Sequence, residues 1–252
     1  MNSWYIPFIR HYQRATPALV PGEGDQQIRY FPVEGGSIRG CISRTEEKSA
    51  RRPMIFLSGW GTSPELFRDV FTVIHGKCDY YYLETREKAS SSLEPGAKMD
   101  MDQFARDVAD AMEQLGFGRA SKRDYVILGT SWGAAVLAHG LARGYLNPPT
   151  AVLFDPMPRL WIKPWIRKLL VPLFPVWFWN ALKGIGRRIA LAGMKEATQR
   201  ARAEAVIKSA DLAKWKAAVR SIGDYDALDI ISAIPGQGLP RRFDDFEVRL
   251  GD

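Results

Sequence analysis

The stretch YVILGTSWGAAVLAHGLA, Tyr125–Ala142, decides how this chain is interpreted. An apolar run of strand length leads to Gly129, and a run of small residues with helical length begins at Trp132. Ser131 lies between them, two positions from Gly129 and two from Gly133. A serine on a sharp strand-to-helix turn is lifted clear of the sheet edge, and its neighbours must be glycine because the adjacent chain passes close by. The pattern predicts an exposed nucleophile at Ser131, and a purely structural glycine turn is the alternative.

Short apolar runs alternate with helical patterns on both sides of this turn. A hairpin is predicted in QQIRYFPVEGGSIRGCISRTEE, with the tight turn at residues 34–37. Further strands are predicted in PMIFLSGWGTS, DYYYLE, DYVILG and TAVLFDP, and helices in PELFRDVFTVI, MDQFARDVADAMEQLGFG and WGAAVLAHGLARGYL. Alternation of this kind predicts an α/β fold with a mostly parallel sheet covered by helices on both faces.

Charge and cysteine content exclude several classes of protein. The net charge is +7, but residues 159–220 hold fourteen Lys/Arg against three Asp/Glu, so the rest carries about −4. A uniformly basic nucleic-acid binder would not show this segregation, and no nucleic-acid partner is expected. The chain has no Walker loop, no dinucleotide glycine pattern and no metal-ligand spacing, so we expect neither cofactor nor metal. Two distant cysteines and a starting segment unlike a secretory signal favour a reduced, cytoplasmic protein.

The same residues resemble a known family. LGTSWGAAVLAHGLA resembles the nucleophile elbow of the α/β-hydrolase superfamily, and PMIFLSGWGTSPELF resembles its strand and oxyanion loop. The resemblance covers residues 26–156 and implies that Ser131 is the nucleophile, with the backbone N–H groups of Trp60 and Trp132 forming the oxyanion hole. The loop begins with Ser58 where family members usually have histidine. Asp155 stands where some members place the catalytic acid. The alternative, that Asp155 is a solvated turn residue, is equally compatible with the sequence.

The resemblance also implies a catalytic histidine after the last strand, and none is found there. The chain has only His11, His75 and His139. His139 follows Ser131 by eight helical residues, about 12 Å along the axis, which exceeds the reach of a general base. We therefore expect structural roles for all three. After ALDIISAIP the chain runs into GQGLPRRFDDFEVRLGD, with one strand candidate at Phe246–Leu250, so we expect the C-terminal strands, acid and histidine to be missing through truncation, a frameshift or degeneration.

The sequence divides into an N-terminal extension (1–25), the hydrolase-like core (26–156), a helical, basic, Trp-rich cap (157–222) and an atypical C-terminal segment (223–252). Two functional interpretations of the basic segment remain open, beside the alternative that it is simply a solvated helical face. As a cap over the active site it would line an acyl pocket with apolar side chains and turn its charges to water. As a membrane-associated element, residues 161–188 would place tryptophans at headgroup depth and Lys/Arg against anionic lipid.

These observations lead to two functional hypotheses. The first is a serine hydrolase that cleaves an ester, thioester or amide of a small or lipidic acyl group through a Ser131 acyl-enzyme. Loss of the base should leave its turnover feeble or absent, since triad residues act as a unit. The second is a non-catalytic binding or accessory protein that kept the pocket.

Overall fold

The computed structural model describes residues 26–45, 51–159, 163–223 and 225–234. The N-terminal extension with His11, Trp161 and the strand candidate Phe246–Leu250 lie outside the described residues. The described chain opens with the predicted hairpin, β1 (Gln26–Val33) paired antiparallel with β2 (Gly36–Ser43). Gly35 sits in the turn at a φ of +71°, a conformation that glycine adopts without strain.

The described strands form one sheet of seven, in the order β1-β2-β4-β3-β6-β7, with the short β5 (Ser92–Leu93) paired beside β2. The sequence predicts all four parallel strands: β3 (Met54–Leu57), β4 (Tyr80–Leu83), β6 (Val126–Thr130) and β7 (Thr150–Phe154). β4, β3, β6 and β7 run parallel, and β2 joins β4 antiparallel. The carboxyl ends of β3, β4, β6 and β7 therefore meet at one edge of the sheet.

Helices cover both faces of this sheet, as predicted. On one face α2 (Met101–Gln114) and α3 (Trp132–Ala142) pack over Ile55 and Leu57. On the other face α1 (Arg68–Ile74) places Phe71 against Phe56. Neighbouring residues of β3 thus serve opposite cores, because successive strand side chains point to opposite faces.

After β7 the described chain is helical. It contains a π-helical segment (Ile166–Leu170), α4 (Val171–Leu173), α5 (Val176–Ala192), α6 (Ala197–Ser209), α7 (Leu212–Ser221) and α8 (Ala227–Ser232). No single described helix has the length and apolar character to cross a bilayer. One bent pair, Ile166–Leu173 with Val176–Arg188, passes that test jointly, with a 105° bend between its halves.

Four cations of this segment do not turn to water as the cap interpretation implies, but donate to backbone carbonyls. Arg167 is buried and donates to the Gly223 carbonyl, and Lys183 donates to that of Ala210. Further such bonds run from Lys216 to the carbonyls of Pro172 and Phe174, and from Lys214 to those of Lys88 and Ser91. Helix ends and bends leave carbonyls without backbone partners, and long cationic side chains satisfy them.

Candidate active site

Ser131 occupies a one-residue turn between β6, which ends at Thr130, and α3, which begins at Trp132. Its φ of 52° and ψ of −115° lie outside the regions that L-residues ordinarily adopt. Both backbone groups of Ser131 are hydrogen-bonded to the segment at the end of β7. The Ser131 N–H donates to the Phe154 carbonyl at 3.0 Å, and the Ser131 carbonyl accepts from the Met157 N–H at 3.1 Å. The predicted strand-to-helix turn is therefore present, in strained geometry of the kind that collects at functional sites.

The two glycines around Ser131 are needed for close backbone approach. A Cβ atom on Gly129 would lie 2.7 Å from the Cα of Ala134, and one on Gly133 would lie 2.4 Å from the carbonyl oxygen of Leu57. Both obstacles are main-chain atoms that cannot move aside. The spacing of the motif thus reflects the packing of β3 and α3 against the turn.

The loop after β3, residues 58–62, lies directly against the serine. A Cβ atom on Gly59 would be 3.3 Å from the Cβ of Ser131. The Trp60 N–H has no acceptor among the described residues, and the Trp132 N–H, at the first position of α3, has no carbonyl partner within its helix. Two such amides beside a hydroxyl suit stabilisation of an oxyanion. That role for Trp60 and Trp132 stays a prediction.

A buried charged loop, residues 84–91, follows β4 at the same edge of the sheet, and sequence reasoning missed it. Lys88 donates to the carbonyl of Gly59 and pairs with Glu87 at 3.2 Å, and both side chains are buried. The N–H of Gly61 approaches Glu87 Oε1 at 3.5 Å. The buried Lys88–Glu87 ion pair therefore holds the loop after β3 in place. The sequence signal that could have found this loop is its position, because the charged stretch directly follows the buried strand β4.

Two further buried ion pairs fix the charged loop to the core. Arg39 on β2 contacts both carboxylate oxygens of Glu84, at 2.7 and 3.0 Å. Arg86 contacts both oxygens of Asp107 on α2, at 2.6 and 2.7 Å. Burial raises the pKa of the Asp107 carboxyl, and Arg86 opposes that shift. Such two-pronged contacts give rigid geometry as well as attraction.

Helix α7 packs against the loop after β3. The ring of Trp215 lies 5.8 Å from that of Trp60, and a Cβ atom on Gly61 would be 2.2 Å from the Trp215 ring. The preceding Lys214 donates to the carbonyls of Lys88 and Ser91. Burial lowers the pKa of Lys214. One helix of the basic segment thus contacts the predicted site directly.

Asp155 lies immediately after β7 and has a φ of 45°. In the described chain it and Ser131 are the two non-glycine residues with positive φ. Its side chain is exposed and makes no hydrogen bond or ion pair with any described residue. Its assignment as the acid therefore stays a prediction.

The described histidines lie away from Ser131. His139 donates through Nε2 to Oδ1 of Asp102 at 2.7 Å, and His75, which closes α1, has Nδ1 3.4 Å from the hydroxyl of Ser43. The His139–Asp102 pair borders an open cleft of about 420 Å³ whose lining does not include Ser131. Within the described part of the chain the Ser131 hydroxyl makes no hydrogen bond, and no imidazole serves it as a base.

Metal ligands are not grouped in the described part of the chain, where no three His, Cys, Asp or Glu side chains converge on one point. Cys41 is buried and Cys78 is partly buried, and these two described cysteines form no disulfide. The chemistry that the site offers is therefore that of a strained serine, backbone amides and a buried Lys–Glu pair.

The fold has many counterparts among solved structures, although the sequence matches no protein-family model and no curated protein. A carboxylesterase from Bacillus subtilis is 15% identical, with a TM-score of 0.58 over 91% of this chain and 77% of its own. A haloalkane dehalogenase from Agrobacterium tumefaciens is 17% identical, with a TM-score of 0.55 over 79% and 68%. A hydrolase from Pseudomonas aeruginosa is 16% identical, with a TM-score of 0.59 over 82% and 76%. By its sheet order, its turn at Ser131 and these counterparts, the chain has the fold of the α/β-hydrolase superfamily.

Proposed function

We propose that this chain is a serine hydrolase that forms an acyl-enzyme on Ser131 from an ester, thioester or amide of a small or lipidic acyl group. The observation that carries the proposal is the backbone of Ser131, at a φ of 52° in a one-residue strand-to-helix turn. Strain of this kind persists only where the surroundings enforce it, and here β3 and β7 both do so. Among the solved structures of similar fold, the carboxylesterase and the hydrolase support hydrolysis as the general reaction.

The reaction begins with attack of Ser131 Oγ on the substrate carbonyl carbon. The carbonyl oxygen becomes an oxyanion, which the N–H groups of Trp60 and Trp132 are placed to stabilise. The hydroxyl proton passes to water. Collapse of the intermediate leaves the acyl group on Ser131 and expels the leaving group, which takes a proton from water and departs as the alcohol, thiol or amine. Water then releases the acid and restores the hydroxyl.

The hydroxyl proton has no imidazole to accept it in the described chain, so we propose that acylation is slow. In serine hydrolases, losing one member of the triad removes several orders of magnitude and leaves a residual rate from the oxyanion hole and binding. The lack of an imidazole at Ser131 also favours the second candidate, a non-catalytic binding protein, because His139 is already bonded to Asp102.

Covalent labelling distinguishes the two candidates, because it needs only a single nucleophilic attack. The protein is incubated with a fluorophosphonate, and the modified residue is mapped by mass spectrometry. We expect slow labelling at Ser131 that Ser131→Ala abolishes. Ser121→Ala, on the loop before β6, is the matched control and should label like wild type.

A second comparison tests the base. If no described histidine takes the proton, His139→Gln and His75→Gln should label at the wild-type rate. Folded protein that never labels at Ser131 would instead support the non-catalytic binding protein. Fast turnover of an activated ester, lost in His139→Gln, would show that the imidazole reaches the serine after all.

A further inference from the structure

Large apolar side chains project from the first part of the basic segment. Trp165, Leu169, Leu173 and Trp177 follow one another at intervals of four residues and are 54, 67, 70 and 69% exposed. We refer to these four side chains as the apolar ridge. Soluble proteins scatter single exposed apolar residues, whereas a run of them marks a surface that binds something.

The backbone under the ridge is bent rather than straight. The helical stretches Ile166–Leu173 and Val176–Arg188 meet at 105°, and Leu173 and Trp177 flank the bend. At 1.5 Å per residue the two stretches are about 12 and 20 Å long, against about 30 Å for the hydrocarbon core of a bilayer. This shape suits an element that lies in a membrane surface rather than one that crosses it.

Exposed cations accompany the ridge, and no acidic residue lies among them along the chain. Lys163, Lys168 and Arg188 are exposed, unlike the cations that point inward. No Asp or Glu occurs in the sequence between Asp155 and Glu196. A protein partner would have to bring its own carboxylates to each of these cations, whereas an anionic bilayer offers phosphates at every position.

We propose that the apolar ridge and its cations dock this protein on the surface of an anionic phospholipid membrane. The tryptophans lie at headgroup depth, the leucines reach the start of the acyl chains, and the cations contact lipid phosphates. The proposal is independent of whether Ser131 is catalytic.

Vesicle sedimentation tests the charge requirement. The full chain is mixed with vesicles of phosphatidylcholine alone or of phosphatidylcholine with phosphatidylserine, at low and at high salt. We expect binding to the anionic vesicles only, and its loss as salt rises, because the attraction is screened. Near the surface a cation contributes about 1 kcal/mol, so Lys168→Gln should weaken partitioning about fivefold. Lys122→Gln removes an equally exposed charge before β6, at the other end of the sheet, and should change nothing.

A second pair of variants tests the apolar contact. Leu173→Ser should weaken partitioning about tenfold or more, since a leucine buried in lipid gains about 1.5 kcal/mol or more. Val73→Ser, on α1, removes a comparably exposed apolar residue and should bind like wild type. Circular dichroism of each variant shows that the fold is retained.

Three results would overturn the proposal. The first is equal recovery in the supernatant under all four lipid and salt conditions. The second is binding that both control variants weaken as much as the ridge variants do. The third is a dimer, seen by light scattering, that Leu173→Ser dissociates while vesicles bind neither form, because the ridge would then be an interface between two copies of this chain.

Discussion

His139 donates through Nε2 to Asp102 at 2.7 Å, so the histidine nearest to Ser131 in sequence is held by a carboxylate at the start of the neighbouring helix. Its side chain is only 12% exposed. The bond ties α3 to α2, the two helices that cover one face of the sheet. An imidazole fixed in this way has a structural function, which is the role expected for it from its position eight residues into α3.

The first prediction concerns the pH dependence of this contact. The hydrogen bond from His139 lowers the pKa of Asp102. A carboxyl with a lowered pKa stabilises the fold above its ordinary value of about 3.9, and that contribution is lost as the pH falls through the lowered pKa. Asp102 is 45% exposed, so we expect Asp102→Asn to cost only about 0.5 kcal/mol at pH 7.

Urea denaturation at a series of pH values measures this effect. The difference in the free energy of unfolding between wild type and Asp102→Asn should shrink towards zero as the pH falls below about 4. Asp110→Asn, on the same helix, is the control. Burial raises the pKa of Asp110, so the charge of this carboxylate does not stabilise the fold and its removal should not reproduce the loss seen for Asp102→Asn. A constant difference at every pH would mean that the carboxylate charge is not what stabilises the contact.

The strands and the turn at Ser131 could be predicted because they depend on local patterns. Short apolar runs ending in glycine mark β3 and β6, and the close approach of Gly133 to Leu57 explains why that pattern needs glycine. The buried face of α2 follows from helical spacing in the same way. In each case the sequence of a single segment is sufficient to predict its structure.

The buried charges could not be predicted, because each depends on a distant partner. Arg39 lies in β2 and Glu84 follows β4, 45 residues later. Charged residues are ordinarily exposed, so composition alone assigns Glu87 and Lys88 to the surface. Nothing in the local sequence marks Lys214 as buried, because the carbonyls that it contacts lie 123 and 126 residues earlier.

The second prediction concerns the pair under the loop after β3. Lys88→Met removes the ion-pair partner of the buried Glu87 carboxylate, and we expect a loss of about 3–5 kcal/mol in the free energy of unfolding. Lys88→Met combined with Glu87→Gln removes that stranded charge and should recover part of the loss. Arg52→Met breaks an exposed pair with Asp124 and should cost less than about 1 kcal/mol.

Urea denaturation of these variants decides between a buried pair and two independent side chains. If the double variant is less stable than Lys88→Met alone, the two residues do not compensate each other. That outcome would contradict the contact between them.

The third prediction concerns the contact between α7 and the core. Trp215 packs against Trp60 and over Gly61, so Trp215→Ala should reduce stability by about 2 kcal/mol. Limited proteolysis should then cut within residues 163–221 earlier than in wild type, while the sheet survives. Trp177→Ala removes a tryptophan that is 69% exposed and should change stability by no more than about 0.5 kcal/mol. Equal cleavage rates in the two variants would mean that α7 is not held by Trp215.

The last prediction concerns Gly133, two residues after Ser131. A Cβ atom on Gly133 would lie 2.4 Å from the carbonyl oxygen of Leu57 and 2.7 Å from that of Ser58. Neither backbone atom can move without shifting β3, so Gly133→Ala should cost about 3 kcal/mol or more. Gly186→Ala is the matched control, since that position on α5 has nothing within 4 Å. Alanine favours a helix by up to about 1 kcal/mol over glycine, so the control should be slightly more stable than wild type. Thermal unfolding followed by circular dichroism compares the three proteins, and a Gly133→Ala midpoint at or above that of wild type would show that α3 does not pack this closely on β3.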